Sequence, residues 1–218
     1  MERKYKNMKN ILKKSAILII LVLVAAACNS KTKTLPEAAQ PSSGSGQTQT
    51  QTPTPPPQST YNDSKYNFSF SYPNSFLQVN PTYGNLSNQI IQVQLGNTDY
   101  PKTNFGDAGF NISQEAASNL AECLKFQYPA APSSATPPQK EINGTNYYVL
   151  TGGGAGAGNS YSSTIYRTFM NSNCFELNET IHTTDIGNYT PGTVTQIDTA
   201  PIQVMLDGIL NSFNFTTK

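Results

Sequence analysis

Between Asn29 and Thr60 the chain offers one large apolar side chain, Leu35. Ser-Ser-Gly-Ser-Gly fills 42–46, Gln and Thr alternate from Gln47 to Thr52, and Pro53, Pro55, Pro56 and Pro57 favour extended geometry. Such a stretch buries too little surface to offset its ordering entropy and is expected to stay disordered. Any core must therefore be built from residues 61–218, a length suited to one ordinary domain. As a coil the linker reaches on the order of 30 Å, and stretched roughly 100 Å.

Upstream, Arg3, Lys4, Lys6, Lys9, Lys13 and Lys14 precede an apolar run from Ser15 to Ala27. That run is short for a membrane span, which takes roughly 20 apolar residues, and it ends in small residues, as a cleaved export signal does. Leu21-Val-Leu-Val-Ala-Ala-Ala-Cys28 reads as a lipobox in which Cys28 carries the lipid. The expected organisation is a signal peptide (1–27), the lipidated Cys28 with its Ser/Gln/Thr/Pro-rich tether (28–60) and a folded domain (61–218). Ala25 stands where Leu is usual. Plain cleavage after Ala27 and an uncleaved anchor are therefore the alternative readings. The expected location is the extracytoplasmic face of a bacterial membrane, held by lipid; buried acyl chains contribute about 0.8 kcal/mol per CH₂.

Of the 14 Lys and Arg residues, those beyond Tyr61 are Lys65, Lys102, Lys125, Lys140, Arg167 and Lys218, while 11 of the 13 acidic residues lie there. A mildly acidic domain without a basic stripe argues against nucleic acid as a partner.

Tyr66-Asn-Phe-Ser-Phe-Ser-Tyr72 alternates aromatic with small polar residues, the pattern of a half-buried strand. Pro73-Asn74 breaks it, and Phe76 to Val79 follows as a short strand. Ile91, Val93 and Leu95 share one strand face, and Phe110 with Ile112 mark another strand. Ser113 is expected to cap a helix with an apolar stripe of Ala117, Leu120, Cys123 and Leu124. Asn143-Gly144 predicts a hairpin, and a second joins 165–170 to 174–183. Ile202, Met205, Leu206, Ile209 and Phe213 form the apolar face of a closing helix with Pro201 in its first turn. Hairpins plus two helices predict an α+β domain, an antiparallel sheet covered by helices.

Tyr66-Asn-Phe-Ser-Phe-Ser-Tyr-Pro-Asn-Ser-Phe76 resembles the opening of PsbP-like domains, roughly Tyr-Gly-Phe-x-Phe-x-Tyr-Pro-x-x-Trp. The closing Ile209-Leu-Asn-Ser-Phe-Asn-Phe215 is similar to how those domains end. Asn67 and Phe76 depart from the usual Gly and Trp. The resemblance covers most of 61–218 and implies an antiparallel sheet sandwiched by helices. The family's best-known members are extrinsic subunits of photosystem II, and no residue here carries that role.

No catalytic, cofactor or metal motif emerges. Gly152, Gly154 and Ala157 match a G-x-G-x-x-A spacing, but Asn159 to Thr164 leads into a strand where phosphate binding needs a helix N-terminus. The glycines are expected to form a flexible loop between strands. His182 is the sole histidine, which excludes a multi-histidine metal site within the chain. On one strand Cys174 and His182 would lie roughly 26 Å apart at about 3.3 Å per residue, too far for a dyad; Cys123 with His182 stays open. Once Cys28 is assigned, Cys123 and Cys174 remain, either as a disulfide or as two buried thiols. Arg167 and Glu176 face each other in the second hairpin if its loop has four residues. They read as either a ligand-binding ion pair or a surface pair worth a fraction of a kcal/mol.

The sequence thus predicts a lipid-anchored, non-catalytic binding or interaction module of the bacterial envelope, its partner an envelope protein. A carrier of a small apolar ligand and a hydrolase with a site assembled from distant residues are the alternatives.

Overall fold

The computed structural model describes residues 56–125 and 137–216. Its elements are β1 (Gln58–Asp63), β2 (Phe68–Pro73), β3 (Leu77–Val79), β4 (Asn88–Gly96), β5 (Phe105–Ala116), α1 (Leu120–Cys123), β6 (Gln139–Ile142), β7 (Thr145–Gly156), β8 (Asn159–Met170), β9 (Asn173–Thr184), α2 (Ala200–Ser212) and β10 (Asn214–Phe215). Seven strands form one antiparallel sheet in the order β3-β4-β5-β9-β8-β7-β6, and β2 lies between β1 and β10 in a three-stranded sheet. The domain is α+β, as expected. Its first strand begins at Gln58, before the expected boundary at Tyr61.

One face of the large sheet is apolar. Ile91, Val93 and Leu95 of β4, Ala108, Phe110 and Ile112 of β5, Leu177 and Ile181 of β9 and Tyr166 of β8 are buried there. Onto it pack α2, through Ile202, Leu206, Ile209 and Leu210, and β2, through Phe68, Phe70 and Tyr72. The alternation in β2 thus sends its aromatics inward, with Phe70 5.5 Å from Phe110 and Phe68 5.2 Å from Phe213 between ring centres. Ser212 Oγ accepts from Ser71 N at 2.8 Å and donates to Ser71 O at 2.9 Å, tying the end of α2 to β2.

Both central hairpins close on two residues with positive φ, Asn143 (47°) and Gly144 (79°), then Asn171 (50°) and Ser172 (58°). Such turns match the right-handed twist of the flanking strands. Asn143 also serves the closing helix. Its Nδ2 donates to Asn211 O (2.9 Å) and Phe213 O (2.7 Å), satisfying carbonyls at the C-terminal end of α2.

Two sequence expectations are corrected. Ser113 is not a helix cap: β5 continues through it to Ala116, because β4 and β9 flank it and pair with it on both sides. The helix shrinks to the single turn α1, capped by Asn119, whose side chain accepts from Glu122 N at 2.9 Å. The glycine-rich stretch is not a loop either. Gly152 to Gly156 are the end of β7, paired with Asn159 to Ser163 of β8 around the turn at Ala157-Gly158. Gly153 permits this close pairing, since a Cβ there would lie 2.5 Å from Tyr161 O.

Candidate functional site

The face of the large sheet turned away from α2 is polar. Gly154, Tyr161, His182 and Asp107 are successive cross-strand neighbours on β7, β8, β9 and β5. Directly paired positions face the same side, so the four form one row. The Tyr161 ring stacks on His182, with centroids 4.4 Å apart and planes within 10°. His182 Nδ1 lies 3.0 Å from Asp107 Oδ2, and Nε2 lies 2.8 Å from Asn159 Oδ1. Asn159 Nδ2 donates to Ala157 O at 3.3 Å, which turns its oxygen toward the imidazole. Both ring nitrogens are thus committed to oxygen partners. On its other side Tyr161 has Gly154, where an added Cβ would meet nothing within 4 Å.

Residues 80–87 cross over this face and are fastened from beneath by buried polar side chains. Gln92 Oε1 accepts from Thr82 N (2.7 Å) and Tyr83 N (3.1 Å), and Glu176 Oε1 accepts from Asn85 N and Nδ2, both at 2.9 Å. Tyr83 lies over Gly109 and donates its hydroxyl to Asp107 Oδ1. Burial, and then the adjacent Asp107 carboxylate, push that hydroxyl far above the ordinary tyrosine range, so it remains a donor. Gly84 adopts φ +113°, and a Cβ there would run into Asn111 Oδ1 and Gln89 Oε1.

Between this crossing segment and β7–β8 lies a cleft of ≈ 640 Å³. Thr82, Tyr83, Gly84 and Asn85 form one wall, Gly153, Gly154 and Tyr161 the other, and Ser163, Asn178 and Thr180 the floor. Ser163 Oγ and Thr180 Oγ1 are hydrogen-bonded at 2.9 Å, and Thr180 donates on to Asn178 Oδ1 at 3.1 Å. No charged side chain lines it. Smaller clefts lie beside Asn143 and Phe215 (≈ 560 Å³) and beside Gly156 and Asp185 (≈ 450 Å³).

Arg167 and Glu176 meet below the crossing segment, directly opposite each other on β8 and β9. Arg167 Nε and Nη2 donate to Glu176 Oε2 at 2.9 and 2.8 Å, and neither side chain reaches solvent. The pair is therefore not at the surface, as the second of its two sequence readings had it: α1 and residues 80–87 cover it. Cys123 of α1 is disulfide-bonded to Cys174 of β9, with Cα atoms 5.1 Å apart. Both cysteines being so bonded, neither pairs with His182 as a nucleophile. Cys28 lies outside the described residues. Among the described residues no group of three or more His, Cys, Asp or Glu could hold a metal ion, and no helix is long and apolar enough to cross a membrane.

A second polar cluster sits on the α2 side. Glu179 of β9 accepts from Gln203 Nε2 at 2.9 Å and from the Tyr166 hydroxyl at 3.4 Å. Its other oxygen is buried without a partner. Burial, reinforced by Asp207, raises its carboxyl from the ordinary 4.5 to about 7.

Tyr83, Asp107, Asn159 and Tyr161 do not stand out in the sequence. Gly154 and Tyr161 are symmetric about the Ala157-Gly158 turn, a relation readable once the stretch is taken as a hairpin. Tyr83 and Asp107 carry no such signal, because 24 residues separate them and only the fold brings them together.

Fold and cleft together define an α+β domain whose antiparallel sheet carries its core on one face and a polar, aromatic-flanked cleft on the other. No protein-family profile matches the chain, and no curated protein matches it. In fold it is similar to the solution structure of cyanobacterial PsbP (CyanoP) from Synechocystis, at 12% identity and a TM-score of 0.42, over 73% of this chain and 92% of that one. It is also similar to a crystal structure from Bacteroides thetaiotaomicron, at 13% identity and a TM-score of 0.44, over 73% of this chain. The match spans about half of that protein's length, 48%.

Proposed function

We propose that this chain is a lipid-anchored, non-catalytic binding module of the bacterial envelope, carried on Cys28 outside the cytoplasmic membrane. The observation that carries the reading is the cleft between residues 80–87 and β7–β8. It presents two tyrosines, amides and hydroxyls, while the one histidine behind it has both nitrogens engaged by Asp107 and Asn159. A concave site with a few placed polar groups and no activated nucleophile suits recognition more than turnover. The cleft beside residues 80–87 combines two tyrosine rings with amides, hydroxyls and glycines, which favours a ligand with both apolar and polar surface over a purely apolar cargo.

Native mass spectrometry on the full protein, extracted in mild detergent from its host's membranes, tests this reading. A mass that includes acyl chains on Cys28, with a retained ligand or partner that Tyr83→Ala releases, is the expected result. An unacylated protein found only in the soluble fraction overturns the anchor. Turnover of a substrate by the purified protein overturns the non-catalytic role.

A further inference from the structure

Resting on the reading of the cleft as a binding site, we propose that it takes a neutral saccharide, with one pyranose ring stacked on the open face of Tyr161. Tyr161 is 37% exposed, although its ring is held rigidly from one side by His182. His182 is in turn fixed by Asp107 and Asn159, and Asp107 by Tyr83. A chain of braced side chains therefore holds one aromatic ring at a set angle. A platform so braced loses little freedom when a ligand lands on it.

The free side of that platform is kept open by sequence. The position directly across from Tyr161 on β7 is Gly154, and the next position on the same face is Gly152, across from Ser163. A side chain at 154 would occupy the space against the Tyr161 ring, where an added Cβ meets nothing within 4 Å. The slot is bounded by Tyr161 on one side and opens toward β7 on the other, with the Tyr83 ring tilted against Tyr161 at 6.5 Å between ring centres.

The chemistry around the slot selects the occupant. A purely apolar or aromatic ligand would satisfy the ring but leave unused the remaining hydrogen-bonding capacity of Thr82, Asn85, Ser163 and Asn178, each of which is already bonded once within the protein. A charged ligand would find no counter-ion, because the lining holds none and the nearby Asp107 and Glu176 are already paired. A sugar ring presents an apolar C–H face for the tyrosine and a rim of hydroxyls for these donors and acceptors, so it matches both surfaces together.

The test uses the full chain in mild detergent and three neutral trisaccharides, maltotriose, cellotriose and triacetylchitotriose, read by saturation-transfer NMR from protein aromatic protons to sugar C–H protons. Transfer to at least one of them is expected, at least tenfold weaker in affinity for Tyr161→Ala and for Gly154→Leu, and unchanged for Val204→Ser on the exposed side of α2. Gly154→Leu meets open space at an extended position, so it is expected to fold, and a thermal melt verifies this. Transfer that survives both cleft variants overturns the location. Absence of transfer from all three sugars overturns the ligand class. In that case an adduct or partner that Tyr83→Ala releases in the mass spectrometry experiment would leave the binding-module reading standing.

Discussion

Arg167 and Glu176 face each other across β8 and β9, Nη2 2.8 Å from Oε2, with neither side chain exposed to solvent. Glu176 spends its other oxygen on Asn85, and so couples the ion pair to the segment that walls the cleft. Removing one member of a buried pair leaves an uncompensated charge and costs about 3–5 kcal/mol. Glu176→Ala is therefore expected to destabilise the domain by that amount in urea unfolding. It should also speed hydrogen exchange at the Asn85 amide. A loss below about 1 kcal/mol would mean that water reaches the pair.

Glu179 makes the fold sensitive to pH in the acid-stable direction. Its folded-state carboxyl titrates at about 7 against 4.5 ordinarily, so the unfolded chain gives up the proton first as pH rises. Below pH 4.5 the group contributes nothing either way; stability then declines through the interval to about 7, by roughly 3 kcal/mol in all. Glu179→Gln is expected to flatten this part of the profile and to raise Tm above about pH 8 while changing it little near pH 4. Thermal melts across that range check it.

The disulfide between Cys123 and Cys174 closes a loop with a sequence separation of 51. Chain-entropy reasoning puts its contribution at about 4 kcal/mol, with measured cases falling at roughly 2–5. The double replacement Cys123→Ser with Cys174→Ser should lower the urea midpoint accordingly. Because α1 is a single turn whose own hydrogen bonds are few, amide exchange is expected to rise most from Asn119 to Lys125.

Adjacent glycines of β7 should respond oppositely to the same change. At Gly153 a Cβ would press on the Tyr161 carbonyl at 2.5 Å, so Gly153→Ala must shift the β7–β8 pairing and is expected to cost about 1 kcal/mol or more. At Gly154 the space is open, and Gly154→Ala is expected to be neutral or to stabilise by about 0.5–1 kcal/mol through lower chain entropy. Paired urea titrations of the two variants separate the cases.

Local pattern made much of this fold legible. The aromatic alternation before Pro73, the Asn143-Gly144 turn and the apolar stripe of α2 each declare themselves within a dozen residues. The second hairpin was expected to set Arg167 opposite Glu176 on a four-residue loop. The turn is the two residues Asn171-Ser172, with Met170 and Asn173 paired, and Arg167 and Glu176 face each other all the same. The pair's burial was not legible, because the cover comes from residues 80–87 and 120–123, remote in sequence. Glycine's low strand preference hid the end of β7, which is extended because β8 supplies its hydrogen bonds. The helix expected after Ser113 lost its first half for a similar reason: Ser113 to Ala116 carry no apolar stripe of their own, and the hydrogen bonds offered by β9, and by β4 as far as Gln114, extend β5 through them.

The arrangement of β1 has a mechanical consequence. A pull on the chain preceding Gln58 enters the fold through a strand that, among the described residues, is paired with one neighbour only, β2, over six residue pairs from Gln58–Pro73 to Asp63–Phe68. β2 is itself backed by β10 and by Ser212 of α2. Tension therefore peels β1 first and stops at β2, while the cleft belongs to the other sheet and to its opposite face. The domain has a sacrificial edge: it can yield under load at β1 while the walls of the cleft, which belong to the other sheet, stay in place.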